Sequence, residues 1–494
     1  MKKNKYEIDM CNGTIMDKLI SFSLPLMVSG ILQLMFNAVD IIVVGRFSGS
    51  QALAAVGSTT ALINVFINLF MGISLGANVL AARYYAAGRD REMSETVHTS
   101  IMLALISGVV MAFVGVFFAK GALELMDTPA DVIDQSALYM RIYFMGMPFF
   151  MLYNYGAAIL RAVGDTKRPL YFLIVSGVIN AGLNMFLVIV FSLDVAGVAI
   201  ATVVSQAISC VLVLRCLYKS EGSYQLRFSK LCLKKDYIIP IFQVGIPAGI
   251  QSTVINFSNV LLQSSVNSFG SIAMAGYTAA NNVLGFLYTS VNSVTQACMS
   301  FTSQNYGVGK YKRMDKVLID CLILSSGMAL VMGGGAYLFG TEILQIYTGD
   351  PEVIRCGMEI LSITTVPYFL CGIMDLFPGA LRGMGCSAVP MILSVIGTVG
   401  TRIVSDLRHF PAAPLAVCAV HFVSGIVDHH DYHAGDLLSD CAEESPQPGS
   451  SRIKRKKDQK PEKPPDKSIF KWNYPRLCDK MAVCEEAGRR YRDT

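Results

Sequence analysis

Residues 237–309 contain no Lys, Arg, Asp or Glu, and they read YIIPIFQVGIPAGIQSTVINFSNVLLQSSVNSFGSIAMAGYTAANNVLGFLYTSVNSVTQACMSFTSQNYGVG. A helix needs about 20 apolar residues to cross a bilayer, so this stretch is long enough for more than one crossing. A second uncharged run covers residues 47–82. Only helices and closed barrels satisfy the backbone in lipid, and these runs are too long and too uniformly apolar for barrel strands. The two stretches therefore predict an all-α integral membrane protein.

The composition of the whole chain indicates the same class of protein. Of its 494 residues, 53% are hydrophobic and 16% are charged, and the mean hydropathy is +0.48. Soluble domains carry about 25% charged residues, so too few polar side chains are present to cover a soluble globule. The 13 cysteines are scattered singly, without a C-x-x-C pair. This pattern predicts reduced thiols packed among helices, with neither a disulfide framework nor a metal site.

Apolar segments recur along the first 404 residues and predict ten complete membrane helices and part of an eleventh. The segments lie at 19–44, 52–82, 97–119, 142–160, 170–191, 195–214, 240–266, 272–302, 317–340, 356–380 and 389–404. The N-terminal tail and the loops after every second segment contain 21 Lys and Arg residues, against 4 in the alternate loops. Because basic loops stay on the cytoplasmic side, we expect a multi-pass protein of the plasma membrane with a cytoplasmic N-terminus.

The chain repeats itself with an offset of 221 residues. Leu160–Gly164 falls on Leu381–Gly385, and Tyr85 falls on Tyr306. An even number of helices in each copy gives both copies the same orientation in the membrane, a layout that transporters use. We therefore predict two six-helix bundles related by internal duplication. The bundles occupy residues 1–214 and 240–404, and a basic cytoplasmic linker joins them at 215–239.

The repeat is lost after about residue 404. Copies of the last two helices should follow, but residues 405–494 contain Pro-, Lys- and Glu-rich sequence of a kind that predicts disorder. A change of reading frame near residue 404 would explain the loss of one or both helices, and a genuine soluble tail is the alternative. The cluster of metal-ligand types at Asp428–His433 would then be an accident of that frame, so we expect no metal site.

Asp40 is the sharpest candidate for a functional charge. It lies near the end of the first apolar segment, with Asn37 three residues earlier on the same helical face. An ionisable side chain within a membrane helix is costly and is therefore a candidate for function. We expect Asp40 to bind a proton or a cation in a cavity. The alternative is an interfacial carboxylate that pairs with Arg46.

Neutral polar side chains of the first half could support this carboxylate or hold a ligand. Asn180 and Asn184 are four residues apart and share one face of the fifth segment, while Asn154 lies in the fourth segment and Thr202 in the sixth. Hydrogen bonds between helices are the structural alternative, and each is worth less than about 1 kcal/mol on average.

The second half carries one candidate acid and a set of neutral polar side chains. Asp375 in the predicted tenth helix lies about seven residues before Arg382, so roughly 10 Å inside the cytoplasmic boundary, where a second proton or substrate site is possible. The seventh and eighth helices hold amide side chains that could line a substrate cavity. These are Gln251, Asn256, Asn259 and Asn282.

Several segments together resemble the multidrug and toxic compound extrusion (MATE) family of transporters. The segments are Phe36–Asp40 with Val44–Arg46, Ala52–Gly57, Leu160–Asp165 with Pro169, and Val195–Thr202. The resemblance covers residues 10–404, and it implies two six-helix bundles that face each other in a V. It also implies export of organic cations in exchange for protons or sodium ions.

The resemblance implies roles for individual residues. Asp40, Asn180 and Thr202 match positions of a proton or cation network, and Asp375 matches a family acid only approximately. Asn184 stands where many members have aspartate, which leaves Asp40 as the lone carboxylate there and favours protons over sodium ions. We expect no cofactor beyond the coupling ion. The expected partners are organic cations and lipid, with no nucleic acid, for a monomer in a bacterial membrane.

Three other functions stay open on the sequence. A lipid-linked precursor flippase of the same superfamily would need a cationic cavity, yet the predicted spans contain almost no Arg or Lys. A membrane enzyme would need His, Cys or paired acids gathered at one membrane face, and residues 1–404 suggest no such group, so we expect no enzyme. An inactive product of a shifted reading frame is the third alternative.

Overall fold

The structure, a computed structural model, describes residues 6–126, 128–129, 132–267 and 271–407. Within these residues the secondary structure is helical, without a strand. They also contain no group of three or more His, Cys, Asp or Glu side chains that could hold a metal ion. The predicted tail from residue 408 onward, with its cluster at Asp428–His433, lies outside the described residues.

The described residues form helices α1 to α14. The first half contributes α1 (Met16–Phe47), α2 (Gly49–Ala86), α3 (Asp90–Glu124), α4 (Ile133–Met145), α5 (Met147–Ala162), α6 (Lys167–Met185) and α7 (Asp194–Lys219). The second half contributes α8 (Lys235–Asn267), α9 (Ser271–Gly307), α10 (Tyr311–Leu338), α11 (Gly340–Gln345), α12 (Pro351–Thr364), α13 (Tyr368–Gly383) and α14 (Ala388–Leu407). By length and composition, seven of these helices could cross a membrane, or eight if the bent pair α12 and α13 is one span.

The fourth and tenth predicted segments are wrong in one respect, because each is a broken pair of helices. The segment expected at 142–160 contains the end of α4 and most of α5, and the break falls at Gly146, two residues before Pro148. The segment expected at 356–380 is α12 followed by α13, which are bent by 54° at a break that contains Pro367. Proline has no amide hydrogen and interrupts the helical ladder, so both breaks have a local cause.

The predicted duplication is visible in the backbone. Four helix boundaries recur 221 residues later: the ends of α2 and α5 in α9 and α13, and the starts of α3 and α6 in α10 and α14. The turns between them repeat as well, since Gly164 and Gly385 both have φ of +93°, and Gly88 and Gly309 have φ of +65° and +72°. Only glycine adopts such angles without steric cost, so each repeated glycine marks a repeated turn.

These turns lie at one end of the helical bundle, which we call the basic face. It comprises the connections α2–α3, α5–α6, α7–α8, α9–α10 and α13–α14, with the segment before α1. Contacts across it join the two halves. Nη2 of Arg83, near the end of α2, donates to the carbonyl oxygen of Met384 after α13 (3.0 Å). The same guanidinium lies 4.6 Å from the ring centroid of Tyr306 on α9.

The first helix of each half crosses to the other half near the basic face. Phe22 of α1 is fully buried in a cluster of second-half side chains, and its ring meets that of Phe301 edge-on at 5.7 Å. In the same way, Tyr237 and Ile241 of α8 are buried in the core of the first half. The far end of α1 packs in the first-half core. The two halves therefore cannot part at the basic face without moving α1 and α8.

Helices α2 and α8 touch backbone to backbone. Each carries two glycines four residues apart, Gly72 and Gly76 on α2 and Gly245 and Gly249 on α8. A Cβ added at Gly76 would lie 2.1 Å from the carbonyl oxygen of Ile241, and one at Gly72 would lie 2.3 Å from the amide nitrogen of Gly249. Small residues at this spacing let membrane helices approach closely. Gly76 lies about 15 Å from the basic end of α2, and its partner Ile241 lies about 9 Å from the basic end of α8, so this contact holds the halves together on this side.

Candidate functional site

Asp40 lies on α1, seven residues before the helix ends at Phe47 and far from the basic face. Its carboxylate accepts a hydrogen bond from the side-chain amide of Asn184 on α6. The side chain of Thr202 on α7 is a second hydrogen-bonding neighbour. The structure thus sets Asp40 against neutral groups of α6 and α7, where the alternative from the sequence paired it with Arg46.

A glycine on α6 allows α1 to come close enough for this contact. A Cβ added at Gly177 would lie 1.9 Å from the ring of Phe36, one helical turn before Asp40. A larger residue at position 177 would push the two helices apart. Small residues serve this purpose at helix contacts in membranes, because they let backbones approach. Gly177 therefore helps to fix the register that brings Asp40 to Asn184.

The hydrogen bond to Asp40 continues through a row of polar groups, which we call the Asp40 cluster: Asp40, Asn180, Asn184 and Thr202. Nδ2 of Asn184 also donates to Oδ1 of Asn180 (3.4 Å), and Nδ2 of Asn180 donates to Oγ1 of Thr202 (3.5 Å). The hydroxyl of Thr202 has one hydrogen, which can be donated either to the carbonyl oxygen of Val198 (3.0 Å) or to the carboxylate of Asp40. Asn180 and Asn184 are buried one turn apart on α6, as their spacing predicted.

One acceptor of the cluster has no donor within the described part of the chain. Oδ1 of Asn184 is buried there without a hydrogen-bond partner. Leaving a buried acceptor unpaired costs about 1–3 kcal/mol. A protonated Asp40 has an O–H that could donate to this oxygen, whereas the carboxylate only accepts. The cluster is therefore chemically suited to take up one proton.

Two tyrosines of α4 lie within electrostatic range of Asp40 and were missed by the sequence analysis. Tyr139 and Tyr143 stack with ring centroids 6.0 Å apart and an interplanar angle of 27°. The charge of Asp40 acts on both phenols, and Tyr143 also hydrogen-bonds to Gln206. Aromatic faces attract organic cations, so this pair adds a cation-binding surface beside the acid. The available signal was their i, i+4 spacing, which puts both rings on one helical face.

Asn37 and Asn154 are not joined to the cluster. Asn37 is exposed on α1, and it takes part in none of the cluster's hydrogen bonds among the described residues. Asn154 of α5 is buried and donates to the carbonyl oxygen of Phe150, one turn earlier on its own helix (2.8 Å). Their part in binding a proton or cation stays a prediction.

Asp375 of α13 lies in a second polar group, in the second half of the chain. Its charge acts on Tyr288 of α9 and on Arg382, two turns later on α13. Tyr288 hydrogen-bonds to Asn292, whose Oδ1 accepts from Nε2 of Gln296 (3.0 Å). Asp375 thus has a cationic neighbour on its own helix. The hydrogen-bonding neighbours of Asp40, by contrast, are neutral.

Gln251 of α8 is buried and bonded to that cation. Its Oε1 accepts from Nη2 of Arg382 (2.6 Å), and its Nε2 donates to Oγ of Ser394 on α14 (2.7 Å). The predicted tenth segment ended at residue 380, but α13 extends to Gly383 and includes Arg382. The predicted fourth segment likewise stopped before Arg161, which α5 includes, so the repeat gave no signal of this extension.

The other amides proposed as a cavity wall differ in exposure. Asn256 donates to the carbonyl oxygen of Ser252 within α8 (2.8 Å). Asn259 on α8 and Asn282 on α9 are exposed. Their role as lining of a substrate cavity stays a prediction.

Comparisons with known proteins agree with the architecture. A family model described as MatE matches the chain twice, over residues 25–186 and 247–407. A probable multidrug resistance protein of Bacillus subtilis, YoeA, is 31% identical over 394 residues, which cover 77% of this chain and 84% of that protein. A probable multidrug resistance protein of Thermotoga maritima, NorM, is 27% identical over 403 residues, covering 79% and 84%.

A solved structure shows the same fold. It is the outward-facing conformation of a multidrug resistance MATE family transporter of the MOP superfamily, and it matches with a TM-score of 0.82. The match covers 90% of this chain and 100% of the other, at 19% sequence identity. The expected two-lobed, all-helical membrane fold is therefore confirmed.

Proposed function

This chain belongs to the MatE family, and from that membership we propose that it is a secondary active transporter that exports organic cations, drugs among them, in exchange for protons. Its relatives are described as multidrug resistance proteins, which supports the class of cargo. The observation that carries the coupling proposal is the Asp40 cluster. It offers one carboxylate held by neutral amide and hydroxyl groups.

We place the basic face in the cytoplasm of a bacterial cell and the Asp40 cluster towards the outer side of the plasma membrane. Lys and Arg concentrate in the loops of the basic face, and such loops stay cytoplasmic during insertion. The contact of α2 with α8 then closes the cytoplasmic side in this state. A proton could reach Asp40 from outside while that side is closed.

The donor pattern of the cluster favours a proton over a sodium ion. A hard cation needs several oxygen ligands around it. The two asparagines direct Nδ2 donors at Asp40 and at Thr202 instead of oxygens. The amide donor of Asn184 stabilises the carboxylate of Asp40 without a metal ion, and the unpaired Oδ1 of Asn184 suits a carboxylic O–H.

In the proposed cycle, Asp40 takes up a proton from outside and releases it to the cytoplasm after the halves rearrange. A ligand shifts a conformational equilibrium only by its different affinity for the two states, so the proton affinity of Asp40 must differ between them. Once the proton has left, the carboxylate beside Tyr139 and Tyr143 offers an anionic, aromatic site for an organic cation. Binding of the cation then returns the halves to the outward state.

Transport by the unmodified chain should depend on a proton gradient and not on sodium. Proteoliposomes or everted vesicles that hold the chain should accumulate ethidium when their lumen is acidic. A protonophore should abolish this uptake, and replacement of Na⁺ by K⁺ should leave it unchanged. Vesicles without the protein give the background. Uptake that requires sodium and survives the protonophore would contradict proton coupling.

Asn184→Asp should make uptake depend on sodium. A second carboxylate beside Asp40 adds repulsion in a partly buried site, and a bound cation would relieve it. Sodium should then stimulate ethidium uptake severalfold in this variant. Asn154→Asp is the matched control, because it adds the same charge at a buried position not bonded to Asp40. Equal sodium independence of both variants would count against the role given to the cluster.

A flippase for lipid-linked anions is the second candidate, and it rests on Arg382. Its half-buried guanidinium is a cation within α13, beyond the end of the predicted tenth segment. Its Nη2 is bonded to Gln251, however, and Asp375 lies within electrostatic range. A compensated charge of this kind is a poor site for an anionic head group. Translocation of anionic lipid analogues without any ethidium uptake would favour the flippase.

A further inference from the structure

The segment Glu7–Asn12, which we call the strap, lies across the basic face before α1 begins. We propose that the strap is a latch, which holds the two halves together at this face. The hydrogen bonds between Glu7 and the first half break each time the face opens. The proposal rests on the alternating-access function proposed above. It adds to that cycle a conformational change at the strap, which neither the sequence repeat nor the apolar segments indicate.

Glu7 ties the strap to the first half. Oε2 of Glu7 accepts from the hydroxyl of Tyr85 on α2 (2.8 Å), and Oε1 accepts from the hydroxyl of Tyr224 in the α7–α8 connection (2.7 Å). Both carboxylate oxygens are therefore engaged, each by a different element. Burial and the bond to Glu7 raise the pKa of Tyr224, so its phenol keeps its proton and acts as the donor. Hydrogen bonds to a charged acceptor are stronger than neutral ones.

The strap packs against the turn at Gly164 through the residue that follows Glu7. A Cβ added at Gly164 would lie 2.6 Å from the carbonyl oxygen of Ile8. The left-handed backbone of this glycine already excludes most side chains, and the close approach of Ile8 excludes them again. The first half thus offers a fitted surface for residues 7 and 8.

The following residues tie the strap to the second half. Met10 is fully buried in the cluster that contains Phe301. Its carbonyl oxygen accepts from Nδ2 of Asn305 (3.2 Å) and from Nε of Arg313 (3.3 Å). The carbonyl oxygen of Cys11 accepts from Nζ of Lys310 (3.0 Å). Three side chains of α9, α10 and their connection therefore hold the backbone of the strap.

The pattern of contacts indicates where the latch opens. The basic end of α1, which continues from the strap, is also packed on the second half through Phe22 and Phe301. The strap and the near half of α1 therefore form one body with the second half. The contacts of the strap with the first half that the described residues show are the two hydrogen bonds of Glu7 and the approach of Ile8 to Gly164, and Glu7 is partly exposed to solvent. Water can replace the two tyrosines there, whereas removing Met10 would expose apolar surface.

The proposal is tested first by the accessibility of the closed face. Ser303 of α9 is fully buried, and its Oγ donates to the carbonyl oxygen of Val79 on α2 (2.6 Å). A cysteine placed there by Ser303→Cys reacts with N-ethylmaleimide only when the halves part. The variant is made in the full chain with the 13 native cysteines replaced. Labelling reports the conformation without any measurement of export. Its outcome therefore tests the latch separately from the proposed export of organic cations.

Weakening the latch should speed this labelling. With Glu7→Gln, or with Tyr85→Phe and Tyr224→Phe together, we expect the labelling rate to rise about tenfold, as for the loss of one or two bonds to a charged group. Tyr218→Phe is the control, since it removes a hydroxyl from an exposed tyrosine beside the same connection. An unchanged rate in both latch variants overturns the proposal.

A second measurement uses covalent clamps, each compared before and after the same cleavable bifunctional thiol reagent. A clamp between Glu7→Cys and Tyr85→Cys should block ethidium transport, and reduction should restore it. A clamp between native Cys11 and Gln304→Cys should leave transport running, because both ends move with the second half; Sγ of Cys11 lies 3.8 Å from Oε1 of Gln304. Transport through the first clamp, or a block by the second, overturns the proposal.

Discussion

Asp40→Asn is expected to reduce ethidium export to the level of cells without the transporter, while the amount of protein in the membrane stays the same. Asparagine has almost the same shape as aspartate, so packing against Asn184 and Thr202 is kept. It carries no charge and cannot bind or release a proton near neutral pH. The measurement is energised efflux from loaded cells, with the membrane content read by immunoblot.

The control for this variant is Asp17→Asn. Asp17 lies on the same helix, α1, and is exposed in its first turn, so the same chemical change is made away from the cluster. Its export should equal that of the unmodified chain. If Asp40→Asn exported normally at equal expression, Asp40 would not be the coupling group. If both variants failed to export ethidium, the loss of export would be a general effect of substitution in α1 and would not identify Asp40.

Gly76→Ala is expected to destabilise the closed state and to impair transport. The new Cβ would lie 2.1 Å from the carbonyl oxygen of Ile241, a backbone atom that cannot turn away as a side chain can. Overpacking of this kind costs about 1–3 kcal/mol. The melting temperature of the purified protein in detergent should fall by a few degrees, and ethidium export should fall with it.

Gly334→Ala separates this effect from the general effect of changing a helical glycine. Gly334 lies within α10, and a Cβ there would meet nothing within 4 Å. The melting temperature of this variant should stay the same or rise slightly, because alanine favours the helix over glycine. Equal melting temperatures and equal export for the two variants would show that α2 and α8 lie farther apart at Gly76 than in the structure.

The helices and their repeat could be predicted because both depend on local sequence patterns. Uncharged runs identify the spans, and the turn glycines at positions 88, 164, 309 and 385 recur at the offset found in the sequence. The broken pairs α4–α5 and α12–α13 were less visible. Apolar residues continue across both breaks, and the local signs of them are Gly146 with Pro148 at the first and Pro367 at the second.

The sequence predicted which residues form the Asp40 cluster, but only some of the contacts between them. The spacing of Asn180 and Asn184 gave a shared face, but which residue of α1 meets that face depends on packing. That packing is set by Gly177 against Phe36, a contact 141 residues apart in the chain. For the same reason Tyr139, which lay between the third and fourth predicted segments, was not foreseen beside the acid.

The contacts at the basic face were not predicted at all. Crossing of α1 and α8 into the opposite halves is a tertiary arrangement, and hydrophobic periodicity describes only single helices. Glu7 sits in a polar stretch before the first span, where composition alone suggests an ordinary tail. Its partners Tyr85 and Tyr224 are 78 and 217 residues away.

The central claim is that Asp40 carries the proton that is exchanged for the organic cation. It is tested most directly by binding ethidium to the purified protein in weakly buffered detergent and following the pH with an indicator dye. The unmodified chain should release protons as the cation binds, and Asp40→Asn should bind with no release, because the two ligands are linked only through that carboxyl. Equal proton release by both proteins would contradict the account.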